Sequence, residues 1–399
     1  MSRILCLNYE YPPLGGGAGN ATANIAREMT RQGAEVLVVT SAFKGLPALE
    51  RTDGFSIRRI PTIRRREEKC AAWEMAVFMA SACLSLPSAV RRFKPDAILA
   101  FFGIPCGPPS WLVKAFSGTP YVVSLRGGDV PGFQPYDLAR MHALTGPLIR
   151  FLWCRAGAVV PNSAGLAALA RAFEPRLDYP VIPNGVDSEL YRPHRTVRRA
   201  GPVRLFFHGR VVYQKGLDVL LDALGHLPHV PDVPGAAHEP AWELHVAGDG
   251  PQRAQLEAQA RALHIADRIF FRGWMRRPEL AEIMRDMDAY VFASRDEGMP
   301  NAVLEAMASG LPVVATRIAG SEELVVPETT GLLVAPGSSE ELTRALARII
   351  GGPERTRGQT EDWRRSLGLA GRERVEKEYS WASVAASYLA LCEGLTRNR

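Results

Sequence analysis

The run at residues 288–316, DAYVFASRDEGMPNAVLEAMASGLPVVAT, constrains the fold of this chain more than any other stretch. Its two apolar ends, residues 289–293 and 311–315, suit buried strands, and a loop followed by a helix lies between them. Pro300 fits the first helical position, where a missing N–H is harmless. Val303, Leu304 and Met307 then supply an apolar helix face, and Gly310 stops the helix. The unit is strand, loop, helix, strand.

The same alternation runs along the chain. Strand-like segments at 4–8, 35–40, 55–60, 97–101, 121–124 and 159–163 alternate with helical ones, and a second series starts at 203–207. This order predicts parallel, doubly wound sheets. A length of 399 residues suits two domains, each able to bury most of its apolar surface. With 47% hydrophobic and 23% charged residues, the composition is that of a globular chain. Six cysteines, at 6, 70, 83, 106, 154 and 392, show no paired metal-ligand spacing, and reduced thiols in a cytosolic protein are the simpler reading. No signal peptide is expected, because Ser2 and Arg3 lead straight into a short strand-like run. The apolar segment 71–86 contains Glu74 and falls short of the ~20 residues a spanning helix needs. A protein that is soluble or lies on a membrane is therefore expected.

The net charge of +6 favours anionic partners. Nucleic acid is not expected, since no aromatic residues interleave the arginine cluster at 58–66. A helix at about 71–93, with arginines before it and Arg91, Arg92 and Lys94 after it, reads either as a core helix with solvated ends or as one docking on anionic lipid.

Several residues read as a site. Glu297 stands in the loop before the 300s helix and Glu305 just over one turn inside it, with seven residues between them. Both can face one crevice at the carboxyl end of a parallel strand. The helix start at Gly298, Met299, Pro300 and Asn301 offers backbone N–H groups, Pro300 excepted, to an anion. Carboxylates for hydroxyls and amides for phosphate are the parts that hold a nucleotide sugar; two solvated glutamates are the plain alternative. Arg210 and Lys215 end the strand at 203–207 beside another helix start and form a diphosphate site, or else are two surface cations. His208 reads as a packed neighbour of Gly209. Gly16 and Gly17 let backbone approach a bound group or simply make a turn. The G-x-G-x-x-G pattern of dinucleotide binding is missing, which counts against an oxidoreductase. No Asp-x-Asp stands at a strand end, so no metal site is expected.

The E-x7-E spacing of Glu297 and Glu305, continued by EAMASGLPVVAT, resembles the signature of the retaining GT-B glycosyltransferases of family 4. The resemblance extends over nearly the whole chain and is sharpest at 203–340. It implies an α/β GT-B fold: two Rossmann-like doubly wound domains facing a central cleft, at 1–190 and 200–379, with a helix at about 380–399 crossing back to complete the first. The junction resembles the family's N-G-V-D, and a linker is expected at 186–202. By the same resemblance Glu297 lies against the donor sugar, Glu305 binds the ribose, and Arg210 with Lys215 meets the diphosphate. The base is read at Gly273, Trp274 and Met275, and Gly16 and Gly17 line the crevice. No cofactor is implied beyond the nucleoside diphosphate sugar as donor, and the acceptor is a glycan or a lipid-linked glycan.

In SLRGGDVPG, residues 124–132, Arg126 occupies the place of the family's histidine. Arg126 is expected to bind a phosphate or acidic acceptor and Asp129 an acceptor hydroxyl, unless the two pair with each other. His142, in a helical run, reads as structural. A sugar-nucleotide isomerase on the same architecture is the alternative activity.

Overall fold

The computed structural model describes residues 2–67, 70–193, 201–227, 241–351 and 356–397. Residues 228–241, whose Pro- and His-rich composition reads as a surface insertion, lie outside these save for Ala241, as does the stretch 194–200 of the expected linker. The strands are β1 (Arg3–Leu7), β2 (Glu35–Ser41), β3 (Leu49–Thr52), β4 (Phe55–Ile60), β5 (Ala97–Phe101), β6 (Tyr121–Leu125), β7 (Ala158–Pro161), β8 (Val203–His208), β9 (Trp242–Ala247), β10 (Ile269–Gly273), β11 (Ala289–Phe292), β12 (Val313–Thr316) and β13 (Gly331–Val334). The helices are α1 (Gly17–Arg31), α2 (Ala72–Phe93), α3 (Gly107–Ser117), α4 (Pro135–Arg155), α5 (Ala164–Phe173), α6 (Leu217–Gly225), α7 (Arg253–Ala262), α8 (Arg277–Met284), α9 (Asn301–Ala308), α10 (Ala319–Leu324), α11 (Ser339–Ile350), α12 (Arg357–Glu378) and α13 (Trp381–Arg397).

Two compact units share the chain, Met1–Gly185 with Trp381–Arg399, and Val186–Ser380. The first has a seven-stranded sheet in the order β3-β4-β2-β1-β5-β6-β7, parallel except where β3 meets β4. Each strand residue faces alternately up and down. Leu5 and Leu7 therefore enter a core roofed by residues of α2 to α5, while Ile4 and Cys6 enter one roofed by α1 and α13. Trp381, Val384, Ala385 and Tyr388 bring α13 into that second core, and the Tyr388 hydroxyl meets Ser124 Oγ at 2.7 Å.

Helix α2 buries Glu74, Phe78, Ala82 and Leu86, one side chain per turn, and leaves its other faces open. The Glu74 carboxylate accepts the backbone N–H groups of Ala71 and Arg65 at 2.7 and 2.9 Å, which explains a buried acid at this helix start. At 22 residues and a mean hydropathy of 1.3, α2 is long and apolar enough to cross a membrane, although 33% of its apolar window is buried in the unit.

The second unit has a six-stranded, wholly parallel sheet in the order β10-β9-β8-β11-β12-β13. Leu205, Phe207 and Val291 face a core shared with α6, α7 and α11, and Phe206, Tyr290 and Phe292 face one shared with α8, α9 and α10. Both faces are covered, as all-apolar parallel strands require.

Three expectations change. The chain passes between units at Gly185 and Val186, not near 190: the Val186 N–H donates to the Tyr379 carbonyl at 2.8 Å, and Tyr191 is buried among residues of the second unit. Pro300 is the N-cap with extended backbone, one position before the expected one, and α9 begins at Asn301. The antiparallel edge strand β3 was not foreseen, because LERT has no apolar alternation.

An added Cβ at Gly185 would lie 2.7 Å from the backbone N of Trp381, so only glycine lets α13 start here. Gly185→Ala is expected to cost about 1–3 kcal/mol, the usual penalty of overpacking, measured by urea unfolding. A loss within experimental error would mean that α13 docks with room to spare.

Candidate functional site

Strand order reverses between β8 and β11, which pair through Leu205 with Ala289 and Phe206 with Tyr290. Ligands of open α/β sheets bind at such a reversal, beyond the strands' carboxyl ends. The loop after β8 and the loop after β11 are pressed together there. Gly216 has φ 65°, and a Cβ on it would lie 2.0 Å from the Ala293 carbonyl oxygen. Arg295 makes two bonds to the Asp218 carboxylate, at 2.9 and 2.6 Å, and a third to the Tyr213 carbonyl at 2.6 Å. Its backbone N–H donates to the Gln214 carbonyl at 2.8 Å.

This clamp fixes what lies above it. The Gln214 amide donates to the Asp296 carbonyl at 2.7 Å and to Glu297 Oε1 at 3.3 Å. Lys215 Nζ donates to the same Glu297 oxygen and lies 5.6 Å from the Phe292 ring centre. Exposed Arg210 reaches Gln214 Oε1 at 3.4 Å. Arg210, Lys215 and Glu297 are thus brought together, with Gln214 bonded to Arg210 and Glu297, and Lys215 to Glu297. Neither Gln214 nor Arg295 was singled out from the sequence, since a glutamine beside a lysine carries no signal until a loop some 80 residues away lies on it.

Glu305 is held separately, on the buried side of α9. Arg277 Nη2 donates to Oε1 at 3.2 Å, and His208 Nε2 lies 3.3 Å from Oε2. Burial pushes the Glu305 carboxyl above the usual range, with the Arg277 charge working the other way. Burial also pushes His208 down to about 3, helped by the cations Lys215 and Arg277, so its imidazole is neutral at pH 7. His208 is packed, as expected beside Gly209, and it also stands against the second glutamate. Arg277 has the Tyr191 ring 5.5 Å away.

The other expected positions divide. Gly298 and Met299 are buried, and the Met299 side chain packs into the core, which leaves only its backbone for a ligand. Gly273 ends edge strand β10, two strands away from β8, and Trp274 and Met275 follow it; Trp274 is 62% exposed and Met275 packs inward. Among the described residues no group of three or more His, Cys, Asp or Glu is placed to share a metal ion.

In the first unit Gly16 caps α1 and Gly17 begins it. The close approach there belongs to neighbouring Gly15, with φ 81° and a would-be Cβ 2.4 Å from Glu10 Cδ, whereas a Cβ at Gly16 meets nothing within 4 Å. Asp129 is buried and its oxygens accept the N–H groups of Gly103, Arg126 and Gly127, at 2.8, 2.9 and 3.1 Å. These bonds hold the loop, a structural role beside the acceptor hydroxyl expected of it. The pairing of Arg126 with Asp129 is through the backbone alone. The guanidinium donates to Asn184 Oδ1 at 2.5 Å and lies 4.8 Å from the Phe101 ring, with Nε and Nη2 buried and lacking a hydrogen-bond partner among the described residues. Burial lowers its pKa. His142 Nε2 meets the Gly128 carbonyl at 2.9 Å, a structural bond that steadies the same loop.

Because folding holds His208 far below its unfolded value of about 6.5, the unfolded chain takes up the proton first as pH falls. Its contribution is complete above pH ~6.5 and is lost toward pH ~3, at up to about 1.4 kcal/mol per pH unit. Wild type is expected to lose stability more steeply than His208→Gln between pH 6.5 and 5 in urea unfolding. Parallel curves would refute the assignment.

Family models match both units. A glycosyl transferase 4-like domain matches residues 16–185, ending where the chain leaves the first unit, and glycosyl transferases group 1 matches residues 202–351. A glycogen synthase of Mycobacterium tuberculosis is 27% identical over 98% of this chain and 95% of its own length. The sucrose-phosphate synthase of Thermosynechococcus elongatus superposes with a TM-score of 0.82 at 21% identity, covering 100% of both chains. Anabaena Alr3699/HepE, solved in complex with UDP-glucose, superposes with a TM-score of 0.74 at 20% identity, covering 100% of both chains. The isomerase alternative finds no support among these matches. Two adjoining family models, one on each parallel-sheet unit, settle the assignment: the chain is a glycosyltransferase of the GT-B fold, made of a glycosyl transferase 4-like domain and a group 1 domain.

Proposed function

We propose that this glycosyltransferase moves a sugar from a nucleoside diphosphate sugar to an acceptor hydroxyl, with retention of anomeric configuration and without a metal ion. The observation that carries the reading is the grouping of Arg210, Lys215 and Glu297 where β8 and β11 adjoin, beside the amino end of α9. The UDP-glucose complex of Anabaena Alr3699/HepE, similar in fold, supports a donor of this chemical class.

In this reading the bond between the anomeric carbon and the diphosphate oxygen breaks, the acceptor oxygen forms the new bond, and its proton is released. Negative charge gathers on the departing diphosphate. Arg210 and Lys215 are already in place to meet it, so little reorganisation is needed at that moment. The Lys215 ammonium has three donors and Glu297 takes one, which leaves capacity for phosphate oxygens. Glu297, so oriented, faces the sugar, and Glu305 takes the ribose hydroxyls while Arg277 fixes its carboxylate. The base lies along Gly273 and Trp274. In the first unit the Arg126 N–H groups that lack a partner among the described residues favour an anionic group on the substrate, and the acceptor is a glycan or a lipid-linked glycan.

Arg210 is exposed, so Arg210→Ala leaves the fold intact and is expected to slow kcat by about 100-fold or more. Unchanged turnover would remove the phosphate role. In a panel of UDP, GDP and ADP sugars with EDTA present, one donor should raise the melting temperature and yield product with the donor's own anomeric configuration by NMR. An inverted product, or turnover that stops with the chelator, would overturn the corresponding half of the reading.

A further inference from the structure

Beyond the reaction itself, the first unit carries a surface that catalysis at the β8 and β11 loops does not use. Helices α2, α3 and α4 lie side by side as one layer over the sheet, α3 packing against both neighbours. Their inner faces fill the core; their outer faces are apolar where solvent-facing helices are ordinarily polar. On α2, Leu84 is 84% exposed and Trp73 is exposed about three turns before it. On α3, Phe116 is 80% exposed, and on α4 Leu144 is 83% exposed, with Leu148 and Phe151 open on the turns that follow. Trp111 of α3 and Phe151 of α4 touch edge to face at 5.1 Å, so the apolar surface continues from one helix to the next. Contiguous apolar surface rimmed by charge marks an interaction site.

The charge around it selects the partner. Residues 58–155 hold fourteen Lys and Arg against six Asp and Glu, a net of +8, more than the +6 of the entire chain. Exposed Arg65 lies 5.1 Å from the Trp73 ring, Arg155 lies 4.7 Å from the Phe151 ring, and Arg91 and Arg92 stand exposed at the end of α2. Cations stacked on the rim aromatics place positive charge at the level of the apolar residues, as an interfacial surface requires. A second copy of this chain would bring the same positive field against itself. A transmembrane arrangement is unsuited, because Glu74, Phe78, Ala82 and Leu86 are locked into the core and α2 cannot leave without opening it.

We propose that the α2–α3–α4 layer docks flat on an anionic phospholipid bilayer, inserting Trp73, Leu84, Leu144 and Phe151 among the headgroups while Arg65, Arg91, Arg92 and Arg155 meet lipid phosphates. This would carry a lipid-linked acceptor within reach of the protein.

Sedimentation of the full chain with phosphatidylglycerol vesicles and with phosphatidylcholine vesicles, at low and at high salt, tests it. Binding is expected to phosphatidylglycerol alone and to weaken with salt. The double variant Leu84→Glu with Leu144→Glu changes two side chains that are almost fully solvated, so its melting curve should match wild type while its vesicle partitioning falls by about ten-fold or more. Arg91→Glu with Arg92→Glu should weaken binding and flatten its salt dependence. No sedimentation with phosphatidylglycerol at low salt, or partitioning that the leucine variant leaves unchanged, overturns the proposal. So does a dimer in sedimentation velocity that the leucine variant dissolves in the absence of vesicle binding.

Discussion

The contact between Gly216 and the Ala293 carbonyl is the constraint on which the second unit's chemistry depends. Any side chain at 216 would push the two central loops apart, and with them every group they carry. Backbone pressed against backbone is stiffer than a pair of side chains, because neither partner can choose another rotamer. The Arg295 clamp on Asp218 then sets the tilt of the loop, and Gln214 sets the spacing of Glu297. Strand adjacency places the loops, a missing Cβ closes them, and hydrogen bonds aim the charged groups.

The electrostatics follow the same hierarchy. Lys215 with Glu297 and Arg277 with Glu305 are two ion pairs on either side of one histidine. Buried charges left single would be costly, and pairing lets both glutamates stand at the strand ends at tolerable cost. His208, flanked by two cations and shielded from water, stays neutral and adds no third positive charge. The first unit uses its acid otherwise: Asp129 spends its oxygens on three backbone N–H groups and so shapes the loop that presents Arg126.

Much of this was legible where the information is local. The apolar runs fixed the parallel strands, and the spacings of Glu297 with Glu305 and of Arg210 with Lys215 pointed to groups that do lie near the reversal of strand order. What stayed hidden depends on distant partners. Gln214, Arg295 and Arg277 look like ordinary surface polars until the sheet brings β8 beside β11. The loop-holding role of Asp129 was hidden for the same reason, since the Gly103 N–H it accepts comes from another strand's loop. Residues 186–191 have the turn-rich composition of a linker, yet a buried Tyr191 makes them part of the second unit. Helix α3 opens with Gly107, Pro108 and Pro109, a loop-like start that masks the helix behind it.

The chain's path has a consequence for how the protein is made. The first unit is interrupted: its sheet comes from residues before 186, but one of its cores is covered by α13, and the two segments meet at Gly185 and Trp381. The second unit has no such debt, since Val186 and Tyr379 are bonded to each other and its strands are continuous in sequence. On the ribosome, then, the later-synthesised unit can finish first, while the core of Ile4, Cys6 and Ile25 has only α1 over it until residues 381–397 emerge. Synthesis order and completion order are reversed.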